Sequence, residues 1–416
     1  MQTKDFKMDL ILQGEENKII QEAITISGSK SESNRLLILQ KLYPKISIDN
    51  LSDSDDSIHM QHALSTDKEL INIGHAGTAM RFLTSYFVLQ EGREVVLTGS
   101  ERMQNRPIKI LVDALKELGA IISYKDKIGY PPLRIKGSKI TKNKVQINGN
   151  VSSQYISSLL LVAPKLENGL EIELVGQITS VPYINMTLSL LNTIGITTSF
   201  TGNIIKVLPQ KEVKEQTIVV ESDWSSASYF YSLIASSKIG SEIQLSAYKK
   251  DSYQGDSCLA EIYQHFGVTT TFRNDFIILK KETNTNNTTL ELDLKNAPDI
   301  AQTIVVTCFS EGIECNLFGL HTLKIKETDR LEALYNELTK LGAEITVTTT
   351  SLHLKKSRTI HQNSTIKTYN DHRMAMAFAP LALKVPIIIE NAEVVTKSFQ
   401  NFWTTMQQVG IKTDAL

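Results

Sequence analysis

One hydrophobic pattern recurs along this chain at intervals of roughly 70 residues. In each copy an amphipathic helix ends in glycine, and a strand rich in β-branched residues, a tight turn and a second strand follow. The glycine comes just after the last apolar position of its helix, where a left-handed residue ends a helix without a Cβ penalty. The five clearest copies have this residue at Gly119, Gly195, Gly267, Gly342 and Gly410.

The same interval, extended toward the N-terminus, predicts a sixth copy before Ala79. The segment 59–75 contains the helix but only a shortened strand part, so this copy is degenerate. Six βα-type copies in 416 residues predict two domains with three copies each, because one hydrophobic core rarely grows beyond about 250–300 residues. The alternative is an ordinary α+β protein whose helices happen to end in glycine, and five similarly spaced copies argue against it.

Composition narrows the function only by exclusion. Apolar residues make up 41% of the chain, which suits packed cores rather than disorder. Lysine and arginine number 44 against 45 acidic residues, so no global field favours nucleic acid or a membrane surface. Any anion must therefore be bound by locally concentrated cations.

The cysteines and the N-terminus indicate a cytoplasmic protein without a metal. Cys258, Cys308 and Cys315 show neither a CxxC pair nor His/Cys metal spacing, so we interpret them as reduced thiols. The first residues contain no apolar signal region, and no apolar run approaches the roughly 18 residues of a membrane span.

Six clusters carry the candidate chemistry, and the first is Ser27–Leu39. Here Gly28 and several serines surround Lys30, and Arg35 follows five residues later. Polar residues before an apolar run predict a helix start, whose free N–H groups favour an anion that Lys30 and Ser31 would face. The alternative is a capped helix with two solvated cations. The other clusters are Gly74–Phe82, Gly99–Ile108, Asn150–Tyr155, Lys324–Arg330 and Tyr369–Phe378.

Local rules give each of these clusters a plain structural interpretation as well. Pro107 disfavours helix at Arg106. Lys326 and Arg330 are four residues apart, as on a surface helix with ion pairs. Asp371 is more simply a helix cap than a catalyst. Four of the six clusters, however, place Arg or Lys beside Gly, Ser or Thr at a predicted helix start, which together predicts a polyanionic ligand.

Separated motifs between about residues 24 and 402 closely resemble the 5-enolpyruvylshikimate-3-phosphate synthases. In chain order they are GSKSESNR, NxGHAGTAMR, RMQNRPI, SSQY, SVPYINMTL, SDWSSASYF, YQGD, PDIAQT, KETDR, NDHRMAM and TKSF. GTAMR, KETDR and NDHRMAM are together highly specific, although none would suffice alone.

The resemblance implies an α/β fold (α+β in some schemes), a two-domain inside-out α/β barrel with three βαβαββ-like units per domain. It implies a discontinuous domain of residues 1–28 plus 222–416 and an inserted domain of residues 29–221. Helix N-termini of both domains point into the cleft between them in this family, so the active site is expected in that cleft.

The resemblance also implies the site residues, position by position. The expected shikimate 3-phosphate contacts are Lys30, Ser31, Arg35, Ser152, Ser153, Gln154, Ser180, Tyr183, Asp299 and Lys326. Of these, Ser152, Ser153, Ser180 and Lys326 would hold the phosphate. The expected phosphoenolpyruvate contacts are Lys30, Gly77, Arg106, Gln154, Arg330, Arg373 and Lys397. The expected catalytic residues are Asp299, Glu327, Lys30, Lys397 and His372.

The implied reaction is an addition followed by an elimination, through a tetrahedral intermediate. Asp299 suits removal of the proton from the substrate 5-hydroxyl, and Glu327 or Lys397 would protonate C3 of phosphoenolpyruvate. We expect a monomer that needs no cofactor and no metal and that binds neither nucleic acid nor a membrane. Four positions depart from the family pattern and put the local shape of the pocket in question, namely His75, Phe82, Val181 and Thr322.

Three alternatives remain. The sister transferase, which acts on UDP-N-acetylglucosamine, carries a reactive cysteine in the loop that matches Gly99–Ile108, and this loop has none. A nucleic-acid protein of related fold would show a basic face interleaved with aromatic residues, against a net charge of -1. A catalytically dead binding protein would not be expected to keep Asp299, Glu327 and Lys397.

Overall fold

The computed structural model of this chain describes residues 8–15, 18–179, 181–285, 288–357 and 359–416. Its contacts divide the chain into two compact units. The terminal unit comprises Met1–Ser27 and Glu221–Leu416, and the central unit comprises Gly28–Val220. Each unit buries a hydrophobic core of its own.

The chain enters through two strands of the terminal unit and then forms the whole central unit. The two strands are β1 (Leu10–Gly14) and β2 (Gln21–Ile24). The helices of the central unit are α1 (Lys30–Leu42), α2 (Asp55–Ser65), α3 (Gly77–Val88), α4 (Glu101–Gln104), α5 (Lys109–Leu118), α6 (Ser153–Val162) and α7 (Val181–Thr193). Its strands are β3 (Ile46–Asp49), β4 (Leu70–Asn72), β5 (Glu94–Thr98), β6 (Ile121–Tyr124), β7 (Leu133–Lys136), β8 (Lys144–Asn148), β9 (Leu170–Val175), β10 (Thr198–Thr201), β11 (Ile204–Val207) and β12 (Gln216–Val219).

The remainder of the chain completes the terminal unit. Its helices are α8 (Trp224–Ser236), α9 (Leu259–Ile262), α10 (Ala301–Glu311), α11 (Arg330–Lys340), α12 (His372–Phe378) and α13 (Phe402–Gln408). Its strands are β13 (Glu242–Ser246), β14 (Val268–Phe272), β15 (Phe276–Lys281), β16 (Thr289–Asp293), β17 (Glu314–Phe318), β18 (Ile345–Val347), β19 (Leu352–Leu354), β20 (Ser364–Ile366), β21 (Ile387–Ile389) and β22 (Ile411–Ala415).

Among the described residues, five four-stranded sheets share one strand order, which confirms the repeat. In β4-β5-β7-β6 the first two strands are parallel and the hairpin β6–β7 adds antiparallel to β5. The sheets β8-β9-β11-β10, β2-β13-β15-β14 and β16-β17-β19-β18 follow the same order. In β20-β21-β1-β22 the N-terminal strand β1 takes the place of the last hairpin strand. The five glycines that mark the repeat all have positive φ, between 73° and 109°.

The sixth copy differs from its expected form. The expectation was a helix with a shortened strand part, and the helix is α2. The strand that follows it, β4, belongs to the sheet of the next copy, so the sixth copy has no hairpin of its own in the described part of the chain. What remains is a parallel pair in which β3 lies beside β12, with Ile46 opposite Gln216.

No helix in the described ranges is long and apolar enough to cross a membrane.

Candidate active site

Arg35 connects the N-terminal halves of three helices of the central unit. Its side chain is buried, and its Nη1 donates to the carbonyl oxygen of Ser31 in the first turn of α1 at 2.7 Å. Its Nη2 donates to Ser157 Oγ of α6 at 3.0 Å and to the carbonyl oxygen of Tyr183 in α7 at 3.3 Å, and its Nε donates to Thr187 Oγ1 at 2.7 Å. Arg35 therefore contacts helix starts, and its expected contact with substrate stays a prediction.

The start of α3 joins the same end of the unit. Gln154, in the first turn of α6, donates from Nε2 to Thr78 Oγ1 of α3 at 3.3 Å. The N-cap Ser152 accepts a hydrogen bond from the backbone N–H of Gln154 at 3.4 Å, and Ser153 is the first residue of that helix. Four helix N-termini thus lie together, and their free N–H groups favour a bound anion. The expected contact Ser180 falls outside the described residues.

Gly77 allows an arginine to lie against the start of α3. A Cβ on Gly77 would stand 2.5 Å from Arg106 Nη1 and 3.0 Å from its Cζ, so any larger residue would displace this guanidinium. Arg81 lies one turn further and donates to the carbonyl oxygens of Gly77 at 3.0 Å and Pro107 at 3.1 Å. Burial, and then the charge of Arg106, lower the pKa of Arg81 to about 10.

Lys30 is the first residue of α1, one position after the N-cap Ser29. The helix start expected in this cluster lies at Lys30, so Lys30 and Ser31 both belong to its first turn. Lys30 is half-buried at this helix start. Together with Arg106 it places two cations at the grouped N-termini, an arrangement suited to a phosphate or a carboxylate.

Arg330 holds the candidate catalytic residues of the terminal unit. Its side chain is only 2% exposed, and it forms ion pairs with three carboxylates. Its Nε lies 2.6 Å from Asp371 Oδ2, its Nη1 lies 2.8 Å from Asp299 Oδ1 and its Nη2 lies 2.8 Å from Glu327 Oε2. Burial alone lowers the pKa of Arg330, and the three carboxylates outweigh that effect, so the pKa is raised.

Asp299 has three cations around it. Besides Arg330, Lys326 Nζ lies 3.3 Å from its Oδ1 and Arg373 Nη2 lies 3.4 Å from its Oδ2. Arg373 also donates from Nη1 to the backbone oxygen of Asp299 at 3.3 Å and from Nη2 to Ser225 Oγ at 3.3 Å. The starts of α8, α10, α11 and α12 therefore meet at one place, as the helix starts of the central unit do.

His372 and Lys397 lie beside this cluster. His372 is buried, and its Nδ1 is 4.0 Å from Asp371 Oδ1. Lys397 ends a short 3-10 helix, and its Nζ donates to the carbonyl oxygen of Asn370 at 2.7 Å, next to the N-cap of α12. The terminal unit thus contributes carboxylates and cations, either of which can transfer a proton.

The interpretation of Lys326 and Arg330 as an exposed i,i+4 pair was wrong. Lys326 precedes the helix, and α11 begins only at Arg330, whose guanidinium is buried. Asp371 is an N-cap, as expected, and its Oδ1 accepts from the backbone N–H of Arg373 at 2.9 Å. It is also a ligand of Arg330, which sequence reasoning missed. Its position before His372 gives no sign of a partner 41 residues away.

Two further acceptors were missed, Ser225 and Asp256. Ser225 Oγ donates to Asp256 Oδ2, and the two residues belong to the motifs SDWSSASYF and YQGD. Burial and the nearby Asp299 raise the pKa of Asp256 to about 7, against the opposing effects of Arg373 and the Ser225 hydrogen bond.

Three of the four departures from the family pattern lie beside the expected contacts in the central unit. His75 Nδ1 is 2.9 Å from Ser100 Oγ, just before α3. Phe82 lies under the guanidinium of Arg35, with 5.3 Å from Cζ to the ring centroid. Val181 is the first residue of α7, and Thr322 lies in a 3-10 helix of the terminal unit.

Residues 64–406 match the family model of EPSP synthase (3-phosphoshikimate 1-carboxyvinyltransferase). The chain belongs to the EPSP synthase family. A relative from Bacteroides fragilis (strain YCH46), named 3-phosphoshikimate 1-carboxyvinyltransferase, is 45% identical over 94% of this chain and 96% of its own length. A relative of the same name from Pasteurella multocida is 37% identical over 93% of this chain and 94% of its own length.

The fold agrees with solved structures of the EPSP synthase family. A structure of EPSP synthase from Acinetobacter baumannii superposes with a TM-score of 0.80 at 22% identity, covering 98% of this chain and all of that one. The predicted family, the α/β fold and the expectation of a transferase are thereby confirmed. The residue-by-residue contacts, the domain limits and the cleft stay predictions.

Proposed function

We propose that this member of the EPSP synthase family transfers the enolpyruvyl group of phosphoenolpyruvate to the 5-hydroxyl of shikimate 3-phosphate and releases phosphate. One observation carries the proposal most directly. Asp299, a carboxylate able to accept a proton, lies at a helix start among Lys326, Arg330 and Arg373. A base surrounded by cations suits a reaction whose two substrates both carry phosphate.

In the addition step, Asp299 accepts the proton of the substrate 5-hydroxyl, and the oxygen of that hydroxyl attacks C2 of phosphoenolpyruvate. C3 takes up a proton at the same time, and the tetrahedral intermediate forms. Glu327 and Lys397 are the two candidate proton donors for C3. Arg330 holds Glu327 beside Asp299, and the backbone oxygen of Asn370 holds Lys397 at the start of α12. In the elimination step C3 returns its proton to the residue that donated it, the C2–O bond to phosphate breaks, and the phosphate leaves with the proton that Asp299 had accepted.

The central unit would supply further contacts to the phosphate groups and the carboxylate. Ser152 and Ser153 lie at the start of α6, and Lys30 and Arg106 add positive charge there. Helix N–H groups and cations replace the water that would otherwise solvate these anions. We propose that the chain acts as a monomer in the cytoplasm.

The deciding experiment measures phosphate release from purified protein with shikimate 3-phosphate and phosphoenolpyruvate. Release is expected, and UDP-N-acetylglucosamine in place of shikimate 3-phosphate should give none. The opposite pattern would assign the chain to the sister reaction and refute the proposal.

The base is tested by Asp299→Ala, which should lower kcat far more than it raises KM, because its role is proton transfer. Asp293→Ala is the control, since Asp293 lies on the exposed edge of the same unit. A variant of Asp299 with near-normal kcat would contradict the assignment of the base.

A further inference from the structure

The motif Tyr253–Asp256 (YQGD) has no part in the reaction described above. Asp256 lies in the short 3-10 helix Gly255–Cys258, and only 5% of its surface is exposed. A buried carboxylate is costly unless polar or charged groups compensate it, so its partners indicate its role. Its hydrogen-bond donor is Ser225 Oγ, in the first turn of α8.

Ser225 connects Asp256 to a predicted phosphoenolpyruvate ligand. A serine hydroxyl has one hydrogen to donate and lone pairs that accept. Because the hydrogen of Ser225 points to Asp256, its lone pairs are available to Arg373 Nη2, which lies 3.3 Å away. The relay therefore runs from Arg373 through Ser225 to Asp256. Asp299 holds the other side of the same guanidinium.

The same motif also places Ser225. Gln254 Oε1 accepts a hydrogen bond from the backbone N–H of Trp224, the first residue of α8, at 2.9 Å. Gln254 Nε2 donates to the backbone oxygen of Ser222 at 2.9 Å. Within this motif, Gln254 thus anchors the start of α8 and Asp256 orients the hydroxyl of Ser225.

We propose that Asp256 is a positioning residue that, through Ser225, holds Arg373 in the orientation in which it binds phosphoenolpyruvate. This inference rests on the proposed function, and it gives a role to a motif that has none there. Without the charge of Asp256, the attraction between Arg373 and Asp299 would be less opposed, and the guanidinium would turn toward Asp299.

A second consequence concerns pH. The charged groups that face Asp256 are Asp223 at the start of α8, Asp299 before α10 and Arg373 of α12, with the thiol of Cys258 on its own helix. Like charges make each other easier to protonate. Burial and the nearby Asp299 raise the pKa of Asp256 to about 7, so in wild type the charge that orients Arg373 is lost as the pH falls through about 7, and KM for phosphoenolpyruvate should rise there.

The test compares Asp256→Asn, Ser225→Ala and the double variant by steady-state kinetics across pH. Each single variant should raise KM for phosphoenolpyruvate by about tenfold, the scale of one hydrogen bond to a charged group. The double variant should be no worse than the worse single one, because both break one relay. Asp256→Asn should also lack the rise in KM that wild type shows as the pH falls through about 7.

Two variants serve as controls. Ser225→Thr keeps the hydroxyl and should restore a near-normal KM. Glu311→Gln removes a mostly buried carboxylate that Ser310 Oγ contacts at 3.3 Å, at the far end of α10. It matches Asp256→Asn in chemistry and should leave both KM and the pH profile unchanged.

The outcomes separate the two proposals. Wild-type protein without phosphate release would refute the function itself. An active wild type with normal KM and pH profile in Asp256→Asn would overturn only the positioning role, as would multiplied effects in the double variant. If Asp256→Asn unfolds at a lower urea concentration than wild type but has an unchanged KM, Asp256 has only a structural role. If Asp256→Asn does not fold, Ser225→Ala tests the positioning role in its place, because it breaks the same contact by removing a single oxygen atom.

Discussion

Replacing Arg330 with alanine should destabilise the terminal unit by about 3–5 kcal/mol, the cost of removing one partner of a buried ion pair. The exposure of its three partners sets this magnitude. The side chain of Asp371 is fully buried, so without Arg330 it bears the desolvation cost of its charge. The side chain of Glu327 is 30% exposed, and water can replace its partner at a cost of about 1 kcal/mol or less.

The assay is urea unfolding followed by tryptophan fluorescence. Both tryptophans of the chain, Trp224 and Trp403, lie in the terminal unit, so the signal reports on the unit that contains Arg330. Lys355→Ala is the control. It removes a cation that pairs with Glu344 on the surface of the same unit, where both side chains are about 70% exposed, and should cost less than about 1 kcal/mol.

The double variant Arg330→Met, Asp371→Asn tests the reason as well as the size of the effect. It removes the buried cation together with the buried anion, so it should be clearly more stable than Arg330→Ala. A loss in Arg330→Ala no larger than in Lys355→Ala would refute the reasoning. So would a double variant as unstable as the single one.

Three other variants test separate features. Lys281→Met should cost about 2–4 kcal/mol in urea unfolding, because the buried Lys281 Nζ donates to the backbone oxygens of Ala235 and Phe266; its exposed neighbour in Lys280→Met should stay within about 0.5 kcal/mol. Gly77→Ala should raise KM for phosphoenolpyruvate about tenfold by displacing Arg106, with unfolding unchanged or slightly improved, and a normal KM would contradict the contact. Asp256 has its folded-state pKa raised from 3.8 to about 7, so its contribution to stability is complete below about pH 4 and is lost as pH rises through about 7. The free energy of unfolding of Asp256→Asn, relative to that of wild type, should therefore rise by up to about 4 kcal/mol between pH 4 and 8. A difference between the two proteins that does not change with pH would contradict this prediction.

Local rules predicted the repeat and several helix starts well. The glycines at the repeat positions have the left-handed backbone that the pattern requires, because that requirement comes from the helix end itself. The start of α3 at Gly77 and the cap at Asp371 follow equally local rules. For the sixth copy the local pattern predicted the helix but not the strand pairing. Strand pairing depends on neighbours in the sheet, and β4 pairs with β5 of the next copy.

Local rules failed where a side chain finds its partner far along the chain. Lys326 and Arg330 have the spacing of a surface pair, yet α11 begins only at Arg330 and its guanidinium is buried against Asp371. Ser225 and Asp256 are 31 residues apart, and neither lies in a pattern that indicates the other. Burial and long-range hydrogen bonds, rather than spacing, determine what these residues do.

The sequence by itself determined the repeated units, their left-handed glycines and, through its motifs, the family. Periodicity and helix ends depend on neighbours within a few residues, so they can be read along the chain. Only the tertiary structure decided that four helix starts gather in each unit and that Arg330 holds three carboxylates at one of these sites. The physical reason is that charge compensation in a buried site depends on distance in space, and packing alone brings Asp299, Asp371 and Arg330 together.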